Sequence, residues 1–232
     1  MARKAAPPAR TPARTTPARP RSGAVVAKPA PPRIAIKRVS PLNAVYRQGR
    51  FGADCEAGPG VRLALRHPVS MVTIIARKGK AKALSAAMKA TWGIDAPAPG
   101  RSGNGRGGIA VHWCGPEQYY AVADGPAEGV LYDDAAARFA GLAAVSDQSH
   151  GRVIFAVAGP MARHVLSKGT PVDLHPDSFA PGSCAVTQMA HVGVHLARTG
   201  AETYELSVFR GFAENFWEWL TEMALEFGYE VV

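Results

Sequence analysis

The sequence predicts an α+β protein of two related lobes behind a basic N-terminal tail. Three observations carry this. Segments with strand and helix character occur twice in the same order, strand, helix, Asp-containing loop, strand, strand, with Ile94-Asp95 and Val172-Asp173 just after the two helix ends. The chain of 232 residues is 47% hydrophobic and 19% charged, enough to bury a core in one domain or two small ones. Its charge is unevenly spread: ten of the 27 basic residues fall within residues 1–38, which contain no acid, so the rest holds 17 basic against 18 acidic residues. The formal charge of +9 therefore belongs to the tail.

Residues 1–38 consist mainly of Ala, Pro and Arg, and eight of them are prolines. Proline removes backbone donors, and so little apolar surface cannot offset chain entropy, so the segment reads as a disordered extension. It lacks the apolar stretch of a secretory signal, and Pro7, Pro8, Pro12, Pro17 and Pro20 would break the helix of a transit peptide. Counterion release could attach such a tail to a polyanion, but no aromatics are interleaved to stack on bases, so nucleic acid is not the expected partner. Cys55, Cys114 and Cys184 form no C-x-x-C pair, which fits a reducing cytoplasm and argues against a disulfide framework or zinc knuckle. No apolar run approaches the roughly 18 residues a membrane helix needs.

The folded domain is expected over residues 39–232, with lobes at about 61–139 and 140–232. A loop-rich segment from Pro41 to Gly60 leads into Val61–His67, whose alternation is that of a strand, and then into the β-rich Met71–Arg77. Lys80–Trp92 spaces Ala83, Leu84, Ala87, Met88 and Trp92 as one helix face, with Gly93 placed to end it. Pro97–Gly108 reads as a Gly-rich loop, Ile109–Cys114 and Tyr119–Ala123 as strands, and Ala127–Phe139 as a short helix. In the second half the expected strands are Ala143–His150 and Arg152–Ala158. A helix from Pro160 to Lys168 ends at Gly169, and a long strand Cys184–Arg198 is followed by another at Thr203–Arg210. Phe216, Leu220, Met223, Ala224 and Phe227 mark one face of a last helix that stops at Gly228.

Few residue sets promise chemistry. Gly103, Gly105 and Gly108 satisfy G-x-G-x-x-G, but a dinucleotide fingerprint needs a strand before and a helix after, and here the order is inverted. Asp147, Ser149 and His150 are the residue types of a hydrolytic triad, yet near neighbours on one strand alternate across its faces and no G-x-S-x-G elbow is present. His191 and His195, on one predicted strand, share a face but stand roughly 13 Å apart, too far for one metal. His112 and Cys114 are about 7 Å apart on theirs and lack a third ligand, so Cys114 reads as a small buried residue.

The last helix is the least ordinary element. Glu214, Glu218, Glu222 and Glu226 repeat every four residues without an intervening cation, each pair costing roughly 0.2–0.5 kcal/mol. Trp217 and Trp219 lie outside the main apolar stripe. Trp217, Glu218, Trp219 and Glu222 are therefore the candidate partner interface, since tryptophan is frequent among binding hot spots; an ordinary solvated acidic face is the alternative. No catalytic, cofactor-binding or metal-binding residue is expected in the chain.

Ser146-Asp147-Gln148-Ser149-His150-Gly151-Arg152, followed by Ala158-Gly159-Pro160-Met161-Ala162-Arg163 and Val165-Leu166, resembles the signature of the aminomethyltransferase-like, folate-binding-type fold. The continuation through Val172-Asp173-Leu174-His175, Phe179, Thr187 and Arg210-Gly211-Phe212-Ala213 into Trp217-Glu218-Trp219-Leu220 is similar to gamma subunits of heterotetrameric sarcosine oxidase. Gly211 departs from those relatives, which often carry Ser after the Arg. The resemblance implies a structural subunit of a complex with alpha, beta and delta chains that oxidises N-methylglycine to glycine. FAD, FMN, NAD and tetrahydrofolate are then expected in the alpha and beta subunits, and zinc in delta. A free-standing folate-dependent aminomethyl or methyl transferase and a polyanion-binding module acting through the tail are the rival readings.

Overall fold

The computed structural model describes residues 38–56, 58–125 and 127–232. The tail reading for residues 1–37 lies outside them. Twelve strands and four α-helices follow in order among the described residues: β1 (Gly49–Phe51), β2 (Val61–Arg66), β3 (Val69–Ala76), α1 (Ala81–Trp92), β4 (Ser102–Asn104), β5 (Ala110–Gly115), β6 (Gln118–Asp124), α2 (Val130–Arg138), β7 (Ala143–Asp147), β8 (Arg152–Ala158), α3 (Ala162–Ser167), β9 (Cys184–Met189), β10 (Val192–Arg198), β11 (Thr203–Phe209), α4 (Ala213–Ala224) and β12 (Tyr229–Val231). No helix among the described residues is long and apolar enough to cross a membrane.

The strands form two sheets, ordered β4-β5-β6-β3-β7 and β1-β12-β2-β8-β11-β10-β9. Helices α1 and α2 cover one face of the first, where Val72, Ile74, Val111 and Ala121 meet Leu84, Met88, Trp92, Leu131 and Phe139. Helices α3 and α4 cover one face of the second, where Leu63, Phe155, Val157, Leu196 and Leu206 meet Val165, Leu166, Phe216 and Leu220. The remaining faces pack on each other through Val69, Met71 and Val122 from one sheet and Ile154 from the other. Strand β3 is central in this four-layer order, which is why Val69, Ser70, Met71 and Val72 are all buried instead of alternating.

The internal repeat holds in the topology: β3-α1-β4-β5-β6-α2 corresponds to β8-α3-β9-β10-β11-α4, and the sheet order 4-5-6-3 to 9-10-11-8. The lobes are not cut at 139/140 in space, however. Strand β2, two residues before β3, pairs with β8 of the second repeat, and β7, which precedes β8, pairs with β3 of the first. Each repeat thus lends its leading strand to the other sheet. Alternation identifies a strand but not its partner, so this exchange is invisible to the pattern.

Other expectations are corrected. Cys184–Arg198 is not one strand but the hairpin β9–β10, turned by Ala190 and His191 at φ 50° and 63°. Two successive left-handed residues make the tight turn favoured between antiparallel strands, normally signalled by Asn-Gly and here disguised as Ala-His. The Gly-rich loop contains β4, paired with β5, and a 3₁₀ turn at Arg106–Gly108. Gly105 serves close packing there, because an added Cβ would lie 2.7 Å from the Trp92 carbonyl oxygen. The leading loop contains β1, and β12 follows α4; both are three residues long, too short to register as alternation. Arg38, placed with the tail by composition, donates to the Val69 carbonyl at 3.1 Å and so belongs to the folded part.

Candidate functional site

Asp147, Ser149 and His150 do not converge as a triad. The Ser149 hydroxyl donates to the Asp147 carboxylate at 2.6 Å and accepts from the Met71 amide at 3.0 Å, fastening the β7–β8 connection to β3. His150 turns away to Glu128, with Nε2 at 2.7 Å from the carboxylate. A base that does not face the hydroxyl cannot activate it.

The structure instead brings together two histidines that the sequence paired with other residues. His112 on β5 and His195 on β10 meet edge to face between the sheets, with ring centroids 5.4 Å apart, and Tyr120 lies 5.3 Å from His195. Nε2 of His195 donates to the Trp113 carbonyl at 3.0 Å, which leaves Nδ1 unprotonated in the neutral ring. Burial pushes His112 down to about 3, helped by His195 and Arg66. Burial likewise lowers His195 to about 4 against the opposing effect of its bond to Trp113. His191 sits in the exposed β9–β10 turn, so it does not share a strand with His195 as the sequence suggests, and the two are not brought together. Nδ1 of His112 and Oγ of Ser207 have no partner among the described residues and border a space of about 10 Å³, room for one water.

The thiols are equally quiet. Burial pushes Cys114 up to about 12 and Cys184 up to about 11, so neither is a thiolate near neutrality. Among the described residues no three His, Cys, Asp or Glu side chains come together as metal ligands. The internal repeat was the signal for the histidine pair, since β5 and β10 are equivalent strands, but it has to be followed residue by residue to place His112 opposite His195.

Helix α4 divides the candidate interface. Ala213, Phe216, Trp217, Leu220 and Ala224 are buried, a stripe at helical spacing. Trp217 is 6% exposed, stacked on Phe155 at 5.8 Å and against Tyr46 at 5.2 Å, so it is a core residue and not a partner-facing one. The buried face is wider than the sequence stripe because Tyr46, from the segment before β1, closes over it and is tied to the Val232 carbonyl at 2.5 Å. Trp219 is half-buried against Phe216 and covers Gly169, where any side chain would overlap the indole.

Glu226 leaves the acidic ladder by pairing with Lys168, whose ammonium also donates to the Met223 carbonyl at 2.6 Å. Glu214, Glu218 and Glu222 stay exposed with no cationic partner among the described residues. Glu214, Glu218 and Thr221 line one wall of an open groove of about 520 Å³, with Val45, Arg47 and Phe51 opposite and Trp217 and β12 residues at its base. The groove offers an open, acidic face along α4.

Residues 78–226 match the model of the "Sarcosine oxidase, gamma subunit family". The chain is 34% identical to sarcosine oxidase subunit gamma of Corynebacterium sp. (strain P-1) over 54% of its length and 61% of the relative's. It is 33% identical to that of Corynebacterium sp. (strain U-96) over 61% and 69%. It thus spans about three fifths of the first relative's length. A chain of the heterotetrameric sarcosine oxidase from Corynebacterium sp. U-96, solved with pyrrole 2-carboxylate, superposes with a TM-score of 0.70 at 28% identity, covering 82% of this chain and 96% of that one. Aminomethyltransferase T of the glycine cleavage system from Bartonella henselae, 18% identical with a TM-score of 0.57 over 75% of this chain and 48% of that one, shares the fold. The chain belongs to the sarcosine oxidase gamma subunit family.

Proposed function

We propose that this chain is a structural subunit of a cytoplasmic, flavin-dependent heterotetramer that oxidatively demethylates N-methylglycine to glycine. Its partners are the alpha, beta and delta subunits. The observation that carries the reading is the superposition on nearly the whole of one chain of a heterotetrameric sarcosine oxidase. Chemistry then belongs to FAD, FMN, NAD and tetrahydrofolate held by partner subunits. The space of about 10 Å³ between the sheets is too small for any of those groups, and the α4 groove, where Arg47 is, among the described residues, the one cation beside Glu214 and Glu218, is a poor match for a phosphate-bearing or polyglutamate ligand.

The exposed Glu218 and Glu222 make α4 the expected contact to a basic face of a large subunit, which would relieve their mutual repulsion. Because Trp217 and Trp219 are bound into the fold, the test leaves them alone. Glu218→Lys with Glu222→Lys is expected to lower co-purification with the partner subunits about tenfold while leaving the circular dichroism of the free chain unchanged. Full assembly of the double variant would return α4 to an ordinary solvated face.

A further inference from the structure

A second surface, opposite in charge to the α4 ladder, lies where β11 runs into α4. Phe209 and Phe212 are 48% and 51% exposed there, and Val39, whose carbonyl accepts from Arg210, is 49% exposed, so this stretch turns several large apolar groups to solvent. Between the two rings in sequence is Arg210, whose guanidinium donates, among the described residues, to the Val39 carbonyl at 2.9 Å. The Arg152 guanidinium lies 4.1 Å above the Phe209 ring and 4.9 Å from that of Tyr120, and it donates to the Ser207 carbonyl at 3.4 Å.

Neither Arg152 nor Arg210 has a carboxylate partner among the described residues. Arg66 nearby is neutralised by Glu205 and Asp124, each at 2.8 Å, and Arg38 stands 3.9 Å from Glu128. The surplus positive field is felt by His67, held below its usual range by burial and then by Arg210 and Arg38. An arginine stacked on an exposed aromatic ring, beside a second unpaired arginine, is the composition of a binding hot spot lacking its acidic counterpart.

We infer that Arg152, Phe209, Arg210 and Phe212 form a docking face for an acidic, partly apolar segment of a partner subunit, distinct from the α4 ladder. The inference rests on the reading of the chain as a subunit of a larger complex. A protein carboxylate fits better than a free anion, because the cavity behind these arginines holds about 10 Å³, too little for a phosphate, and the exposed rings call for apolar contact alongside charge.

The test uses the full chain co-expressed with the partner subunits. Arg210→Glu is expected to reduce co-purification about tenfold and to flatten its dependence on KCl, whereas Arg210→Lys keeps most of both. Phe212→Ser, a change at an exposed ring, is expected to weaken assembly without altering the salt dependence. Free phosphate and free succinate, added separately to the isolated chain, are expected to leave its melting temperature unchanged. Wild-type assembly by both folded variants overturns the inference and leaves the subunit reading intact. Stabilisation by phosphate or succinate that Arg210→Glu abolishes, with assembly unaffected, overturns it in favour of a small-anion site. Failure of the wild-type chain to co-purify takes both readings down together.

Discussion

Trp217→Ala is expected to destabilise the free chain by about 3–5 kcal/mol, a large share of the roughly 5–15 kcal/mol that holds a domain of this kind together. The indole is 6% exposed, between the Phe155 ring and Tyr46, and joins α4 both to the seven-stranded sheet and to the segment before β1. Removing it leaves a cavity at the junction of three elements, which cannot collapse without moving Tyr46 and its bond to the Val232 carbonyl. Urea unfolding followed by circular dichroism should show a lowered midpoint with little change in slope. A loss under about 1 kcal/mol, with assembly abolished, would place Trp217 in the interface instead of the core.

Acid should destabilise the chain from about pH 6.5 downward, before most of its carboxylates titrate. His112 and His195 are held neutral by burial, at about 3 and about 4, whereas in the unfolded chain they protonate near 6.5. Their folded values lie below the unfolded ones, so the unfolded state takes up protons first. Stability is complete above about pH 6.5 and falls as the pH drops towards 4 and then 3. Within that window each histidine costs about 1.4 kcal/mol per pH unit, which together is comparable to the whole stability by about pH 4.5. Glu205, raised by burial, works in the opposite direction, while His67, lowered by burial and then by Arg210 and Arg38, adds to the pair. His112→Leu removes one titration and an unpartnered ring nitrogen, so the slope of stability between pH 6.5 and 4.5 should fall by about half. An unchanged slope would mean that the pair is not the source of acid sensitivity. Charging either ring would also force apart the sheets that hold the repeats together.

How much of this was legible depended on whether a feature is local. Helix α1 was, because the spacing of Leu84, Met88 and Trp92 and the left-handed Gly93 at φ 74° are all encoded within one segment. The repeat was legible for the same reason, as two copies of one local pattern. The strand exchange was not, since β2 and β7 find their partners across more than 80 residues of chain in one case and more than 60 in the other. The β9–β10 hairpin was hidden by a turn built from Ala190 and His191, which lacks the Asn-Gly or Asp-Gly signal of such turns. Trp217 was misplaced because a helical stripe shows which residues line up, not how wide a face the neighbouring Tyr46 and Phe155 will cover. That Asp147, Ser149 and His150 form no triad could be argued from spacing alone, and the turn geometry gives the reason: Ser149 bonds Asp147 within the β7–β8 connection, and His150 turns to Glu128.

The central claim is that this chain works as an assembly subunit and carries no flavin chemistry of its own. Size-exclusion chromatography of the tagged chain, co-expressed with the alpha, beta and delta subunits and monitored at flavin wavelengths, tests it most directly. The expected result is one equimolar complex carrying all flavin absorbance and all N-methylglycine oxidation, beside a colourless, inactive peak of excess free chain. Flavin bound stoichiometrically to the free chain, or an intact and active oxidase eluting without it, would contradict the account.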